Sequence, residues 1–146
     1  MDPNSPQSSP GSAVRAYAFR LTPGHDLKQR LLAFAKAEGL RAAAVVTAVG
    51  SLTTVRLRLA NQQQATVRHG HFEIVALVGT ATGTAGHLHL AVADETGAMF
   101  GGHLLDGCTV YTTAEIVLAE LTGANFTREL DPTFGYNELV VGRREI

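Results

Sequence analysis

Three histidines carry the chemistry this sequence offers. His87-Leu88-His89 is followed, after the turn signal Asp94-Glu95-Thr96-Gly97, by Gly101-Gly102-His103. Three neutral imidazoles with an open fourth position form the donor set of a catalytic-type zinc site. Imidazole also suits nickel, copper and iron, so zinc is the default among several transition metals. Alternate residues of a strand share a face, so His87 and His89 point the same way if residues 87 to 94 are extended. With a second strand over 98 to 105, a three-residue loop, Glu95-Thr96-Gly97, pairs residue 94 with 98. That sets His89 opposite His103, with Gly97 taking the left-handed conformation. A two-residue loop would put Leu88 opposite His103 and turn that ring to the other face. A bulge at Gly101-Gly102 would restore the alignment or spoil it. The competing reading is a set of separate surface histidines. We take the three-residue loop, and the three-histidine metal site it builds, as the expectation to test.

The elements that must hold this hairpin are legible around it. Val14 to Leu21 alternates as a strand and ends at Thr22-Pro23-Gly24. Asp26 to Glu38 is the clearest helix, with Leu27, Leu31, Phe34 and Ala35 at helical spacing. Asp26 is placed to cap it, Gln29 to complete a capping box, and Gly39 to end it. Lys28, Arg30 and Lys36 read as its solvated face. Ala42 to Val49 is a small apolar strand, turned by Gly50-Ser51. Leu52 to Ala60 is another strand and Asn61 to Gln64 a loop. Phe72 to Val78 is a further strand, followed by a Gly/Thr-rich stretch from Gly79 to Gly86. This stretch is either a mobile loop beside a site or a plain connector. A long strand is expected from Thr109 to about Leu121. Asp131-Pro132 and Gly135 mark a turn before a short last strand, Glu138 to Val141. One helix against many antiparallel strands implies an α+β fold: a single domain with a curved sheet or partly closed barrel. Residues 1 to 12, rich in Pro and Ser, are expected to be a flexible tail, leaving 13 to 146 as the domain.

Composition narrows the function classes. The chain has 146 residues, 45% apolar and 17% charged, with no Trp. The core therefore rests on Val, Leu, Ala and Ile. The single Cys108 cannot form an internal disulfide and is read as a small buried hydrophobe. No apolar run is long enough for a membrane span, and a cytoplasmic location is expected. A net charge of −1 gives no global field for nucleic acid.

Several segments together resemble the plant- and prokaryote-conserved (PPC) domain family. They are Arg20 to Leu27, Ala48 to Ser51, Gly70 to Ile74, His87 to His89, Gly101 to Cys108, Thr113 to Glu115, Phe126 to Pro132 and Tyr136 to Leu139. The resemblance implies an α+β domain with one main helix on an antiparallel sheet, assembling as a homotrimer. Plant relatives join the domain to AT-hook segments that bind AT-rich minor grooves, and prokaryotic members are often labelled DNA-binding-like. The fold is similar to that of acetolactate decarboxylase, whose zinc is held by an HxH pair and a later His. His87, His89 and His103 match that pattern in order. The rest of a decarboxylase site is not evident, so no reaction carries over. This sequence has no Arg-Gly-Arg-Pro core. His25 and His71 read as solvated loop histidines.

Three functions compete on these residues. A zinc site could polarise a carbonyl or activate water for a small-molecule ligand. A base would help, and Glu115 is the tempting one. An Asp106-Gly107 turn pairing Leu105 with Cys108 puts His103 opposite Val110, with Thr112 on that face and Glu115 on the other. Glu115 is then expected as a buried carboxylate paired with an Arg. Glu73 is a similar case that the sequence does not place. A DNA-binding module would draw on Arg56, Arg58, Arg68, Arg143 and Arg144, repeated by a trimer. A structural assembly domain would bury strand edges between subunits.

Overall fold

A computed structural model describes residues 5–8 and 11–144. The expectation of a flexible tail over 1–12 falls in part outside these residues. The chain runs β1 (Val14–Leu21), α1 (Leu27–Ala37), β2 (Ala43–Arg58), β3 (Ala65–Ala81), β4 (Gly86–Ala93), β5 (Met99–Leu104), β6 (Thr109–Leu121), β7 (Ala124–Asp131) and β8 (Tyr136–Arg143).

Six strands form one antiparallel sheet in the order β1-β6-β2-β3-β4-β5, and β5 returns to pair with β2. The ring β2-β3-β4-β5 is therefore closed, while β6 and β1 extend it as an open wing. This is the partly closed barrel of an α+β domain. Closure depends on the length of β2. Residues from Ala43 to Thr54 pair with β6 and its last residues pair with β5, Leu57 opposite Leu104 and Arg58 opposite His103.

Helix α1 forms where its spacing predicts. The Asp26 carboxylate accepts from the Gln29 backbone N–H at 2.9 Å, and Gly39 follows the helix at φ +65°. Gln29 does not reach back to complete the box; its side-chain amide donates to Asp106 instead. Leu27, Leu31 and Ala35 are fully buried, and Phe34 stacks on Phe19 at 4.0 Å. The core joins these to Leu52, Leu57, Leu88, Leu90, Leu104, Ile116 and Leu118.

Several expected boundaries move. Gly50-Ser51 does not turn the chain: β2 runs through it with register shifts. A Cβ on Gly50 would lie 2.1 Å from the Thr113 carbonyl, so this glycine serves close strand approach. Strand β3 is longer than the expected Phe72 to Val78: it begins at Ala65 and continues through Gly79 to Ala81. The Gly/Thr-rich stretch shrinks to a tight turn in which the Thr82 hydroxyl accepts from the Ala85 N–H at 3.1 Å. The C-terminal region is a full hairpin, β7 with β8, rather than one short strand. The expected turn at Asp131–Gly135 is there, held by the Asp131 carboxylate and by Gly135 at φ +77°.

Candidate metal centre

The hairpin that carries the histidines has the three-residue loop. The Asp94 N–H donates to Ala98 O at 3.0 Å, and Gly97 sits at φ +81°. The Asp94 carboxylate accepts from the Thr96 hydroxyl at 2.6 Å and from the Thr96 and Ala98 N–H groups. These bonds, the Thr96 hydroxyl first, hold its pKa below the usual carboxylate range. A loop stitched in this way fixes the register, and His89 falls opposite His103.

Gly101-Gly102 introduces no bulge between β4 and β5. A Cβ on Gly101 would come within 2.7 Å of Leu90 O, and one on Gly102 within 2.7 Å of Arg58 O. The pair lets β5 press against β4 on one side and β2 on the other. Gly79, at φ +137°, does the same for β3 and β4: its Cβ would lie 2.0 Å from His87 O.

The three rings converge on one side of the hairpin. Ring centroids are 4.9 Å apart for His87 and His89, 5.3 Å for His87 and His103, and 5.7 Å for His89 and His103. One nitrogen from each ring lies within 4.8 Å of the other two. The Nε2 atoms of His87 and His89 are 3.1 Å apart. Two ~2.05 Å zinc–nitrogen bonds at a tetrahedral angle set ligand nitrogens about 3.3 Å apart.

Electrostatics favour the neutral, ligating form. Burial, followed by the charge of Arg58, holds His103 down at about 4. His87 is also lowered, by burial and then by His89 and Arg128. The Nδ1 atom of His103 is buried with no hydrogen-bond partner among the described residues. Such an orphan costs about 1–3 kcal/mol unless something binds it. The donor set and the orphaned nitrogen both fit a metal ion.

A cavity of about 590 Å³ opens beside His87 and His103. Arg58 borders it from β2, and Arg128, Tyr136 and Glu138 from the β7–β8 hairpin. None of these four was a candidate for the metal site from sequence. Arg58 drew notice only as one of a run of basic residues. The β7–β8 residues are distant in sequence, and Asp131-Pro132 with Gly135 signals a turn before a short last strand but not which cavity that strand will border.

The other candidates lie elsewhere. Strand β5 pairs with β4 and β2, not with β6, so His103 does not face Val110. Val110 instead pairs with Leu52 on β2. Glu115 is exposed and sits opposite Arg20 without an ion pair among the described residues. It is not the buried carboxylate expected. That role belongs to Glu120, 3% exposed, with Arg144 at 3.4 Å. Alternate residues of β6, Ala114, Ile116, Leu118 and Glu120, face inward, which leaves Glu115 on the exposed side. Glu73 is exposed too. Cys108 is fully buried, its thiol pushed up to about 11 by burial, as a small hydrophobe would be. Arg56 donates to Asp106 O, and Arg68 lies 4.1 Å over the Phe100 ring.

Comparison with known proteins agrees with this architecture. The chain is 49% identical over 134 residues to the bifunctional protein GlmU of Synechococcus sp. (strain JA-3-3Ab), covering 92% of this chain. It spans only 22% of that relative's length. It is 32% identical over 111 residues to AT-hook motif nuclear-localized protein 13 of Arabidopsis thaliana, covering 68% of this chain and 25% of that one. Among solved structures, a hypothetical protein from Salmonella matches with a TM-score of 0.91 at 44% identity, over 95% of this chain and 99% of that one. A metal-containing protein from Archaeoglobus fulgidus shares the fold, with a TM-score of 0.71 at 22% identity over 88% and 96% of the two chains. The profile of the Plants and Prokaryotes Conserved domain matches residues 8–122, and the chain belongs to that family.

Proposed function

We propose that the protein is a metal-binding domain in which His87, His89 and His103 hold one transition-metal ion, zinc by default, with a coordination position open to a small-molecule ligand. The observation that carries this reading is the convergence of three ring nitrogens within 4.8 Å beside a cavity. The lowered pKa values of His87 and His103 support it, because a metal binds the neutral ring. That a protein of the same fold is metal-containing supports it further. A bound zinc would supply Lewis acidity, polarising a carbonyl or lowering the pKa of a water. The histidines would fix the ion's position, and the cavity would orient what approaches it.

Elemental analysis of purified untagged protein tests the reading. We expect about one metal ion per chain, lost in His103→Ala. Metal-free protein after growth with each candidate metal, or unchanged content in the variant, would overturn it.

We also propose that the functional unit is a homotrimer. Val46 and Val49 on β2 and Val75 and Val78 on β3 are each about half exposed or more, an apolar set that a second copy would cover. Val78 lies opposite His89 in the β3–β4 ladder, so assembly through this face would bring a neighbour close to the metal centre.

A further inference from the structure

We propose that the cavity beside the histidines is an oxyanion site: it takes a small molecule bearing a carboxylate or phosphate group, held between Arg58 and Arg128. The inference adopts the metal reading for the neighbouring centre but rests on different residues.

Two cationic side chains border this cavity from different elements. Arg58 is on β2, directly opposite His103. Arg128 is on β7 and donates to the Thr80 hydroxyl at 2.9 Å. Among the described residues neither forms an ion pair; the ion pairs there are Lys28–Asp106 and Arg144–Glu120. Both are partly buried rather than fully solvated. Half-buried guanidinium groups without a carboxylate partner are poised for an anion, and their planar fork matches a carboxylate or phosphate in two-point contact. Both arginines line the same cavity as His87 and His103, which places them beside the histidine cluster.

Among the described residues the cavity holds one opposing charge. Glu138, on β8, lies near enough to His87 to act on it electrostatically. Two arginines against one glutamate leave a net positive wall before any metal is added. Tyr136 and Asn61 add neutral polar groups, so the lining offers both charge and directional bonds. At about 590 Å³ the space suits a ligand of metabolite size rather than a macromolecular chain. Arg128, Tyr136 and Glu138 all lie beyond residue 122, where the family match ends. All three come from the β7–β8 hairpin, which forms one wall of the cavity.

Calorimetric titration of zinc-loaded and metal-stripped protein with lactate, inorganic phosphate and the neutral lactamide tests this. We expect lactate or phosphate to bind, with the tighter of the two naming the group, and lactamide not to bind measurably. Arg58→Gln and Arg128→Gln should each weaken anion binding by tenfold or more while zinc content and thermal midpoint stay near those of the parent. Arg58→Lys serves as a second variant should a glutamine variant fail to fold; it should retain part of the binding. Binding of lactamide as tight as lactate, or anion binding unchanged in the arginine variants, overturns the proposal. So does a protein that holds zinc yet binds neither anion, an outcome that leaves the metal reading standing. Anion binding lost on Arg58→Gln in protein that holds no metal supports the oxyanion site and sinks only the metal reading.

Discussion

His103 is the residue on which the site's behaviour turns. It lies across the hairpin from His89, across the barrel seam from Arg58, and keeps one nitrogen buried without a partner among the described residues. Burial holds it neutral down to about 4, against an ordinary value of 6.5. In the unfolded chain the same ring protonates near 6.5. Between those values the unfolded state binds more protons, so stability falls as pH drops through that window and levels off below it. His87, also lowered, acts in the same direction. Thermal unfolding of metal-stripped protein between pH 7 and pH 4 should therefore show a falling midpoint, and His103→Gln, which cannot titrate, should flatten that slope. A variant with the parent's slope would mean that carboxylates elsewhere dominate. The three ligand candidates were legible in sequence because strand periodicity and one turn signal suffice to place them. Arg128 and Glu138 were not, because nothing local tells which distant strand will wall a cavity.

At the scale of elements, glycines decide how closely the strands approach. Gly79 and Gly97 both have positive φ, but they do different work. Gly97 sits at a loop tip, where an added Cβ meets nothing within 4 Å. Gly79 lies inside the β3–β4 ladder, where the same Cβ would lie 2.0 Å from His87 O. Gly97→Ala should cost about 1–2 kcal/mol, the strain of a left-handed alanine alone. Gly79→Ala adds a backbone clash and must part the strands. We expect it to cost more than Gly97→Ala in chemical denaturation and to lower zinc content, which Gly97→Ala should leave intact. Equal costs would show that the ladder relaxes around Gly79. The same contrast explains what the sequence concealed. A glycine reads as a turn when met in isolation, so Gly50-Ser51 suggested a break and Gly79 the start of a loop. In the structure Gly50 and Gly79 lie where two backbones press together inside continuous strands. Where a glycine follows a helix or a capping aspartate, as at Gly39 and Gly97, the local reading held. The β5–β6 pairing failed for another reason: a short turn at Asp106-Gly107 favours a hairpin, but ring closure onto β2 takes β5 elsewhere.

For the whole molecule, the trimer and the question of DNA are linked. Light scattering of the proposed assembly should give three times the 15.4 kDa chain mass. Val49→Glu together with Val78→Glu should reduce it to the monomer; a monomer mass in the parent across a broad concentration range would contradict the trimer. Assembly multiplies every surface charge by three, so a net charge of −1 per chain does not alone decide against DNA. Local engagement argues more strongly. Arg56 donates to a backbone carbonyl, Arg58 borders the histidine cavity, and Arg68 lies over Phe100. Arg56 and Arg68 are engaged within the chain and Arg58 faces a cavity of metabolite size, so few are placed to neutralise a run of phosphates, and the affinity of duplex binding depends on that number. The relative with an AT-hook in its name shares the domain over 111 residues. This sequence contains no Arg-Gly-Arg-Pro segment. We therefore expect binding to AT-rich and GC-rich duplexes to be weak, similar for both, and abolished by moderate salt. Tight AT-selective binding at physiological salt, lost in Arg56→Ala with Arg58→Ala, would reverse that ranking and assign the arginines of β2 to nucleic acid instead of to a small anion.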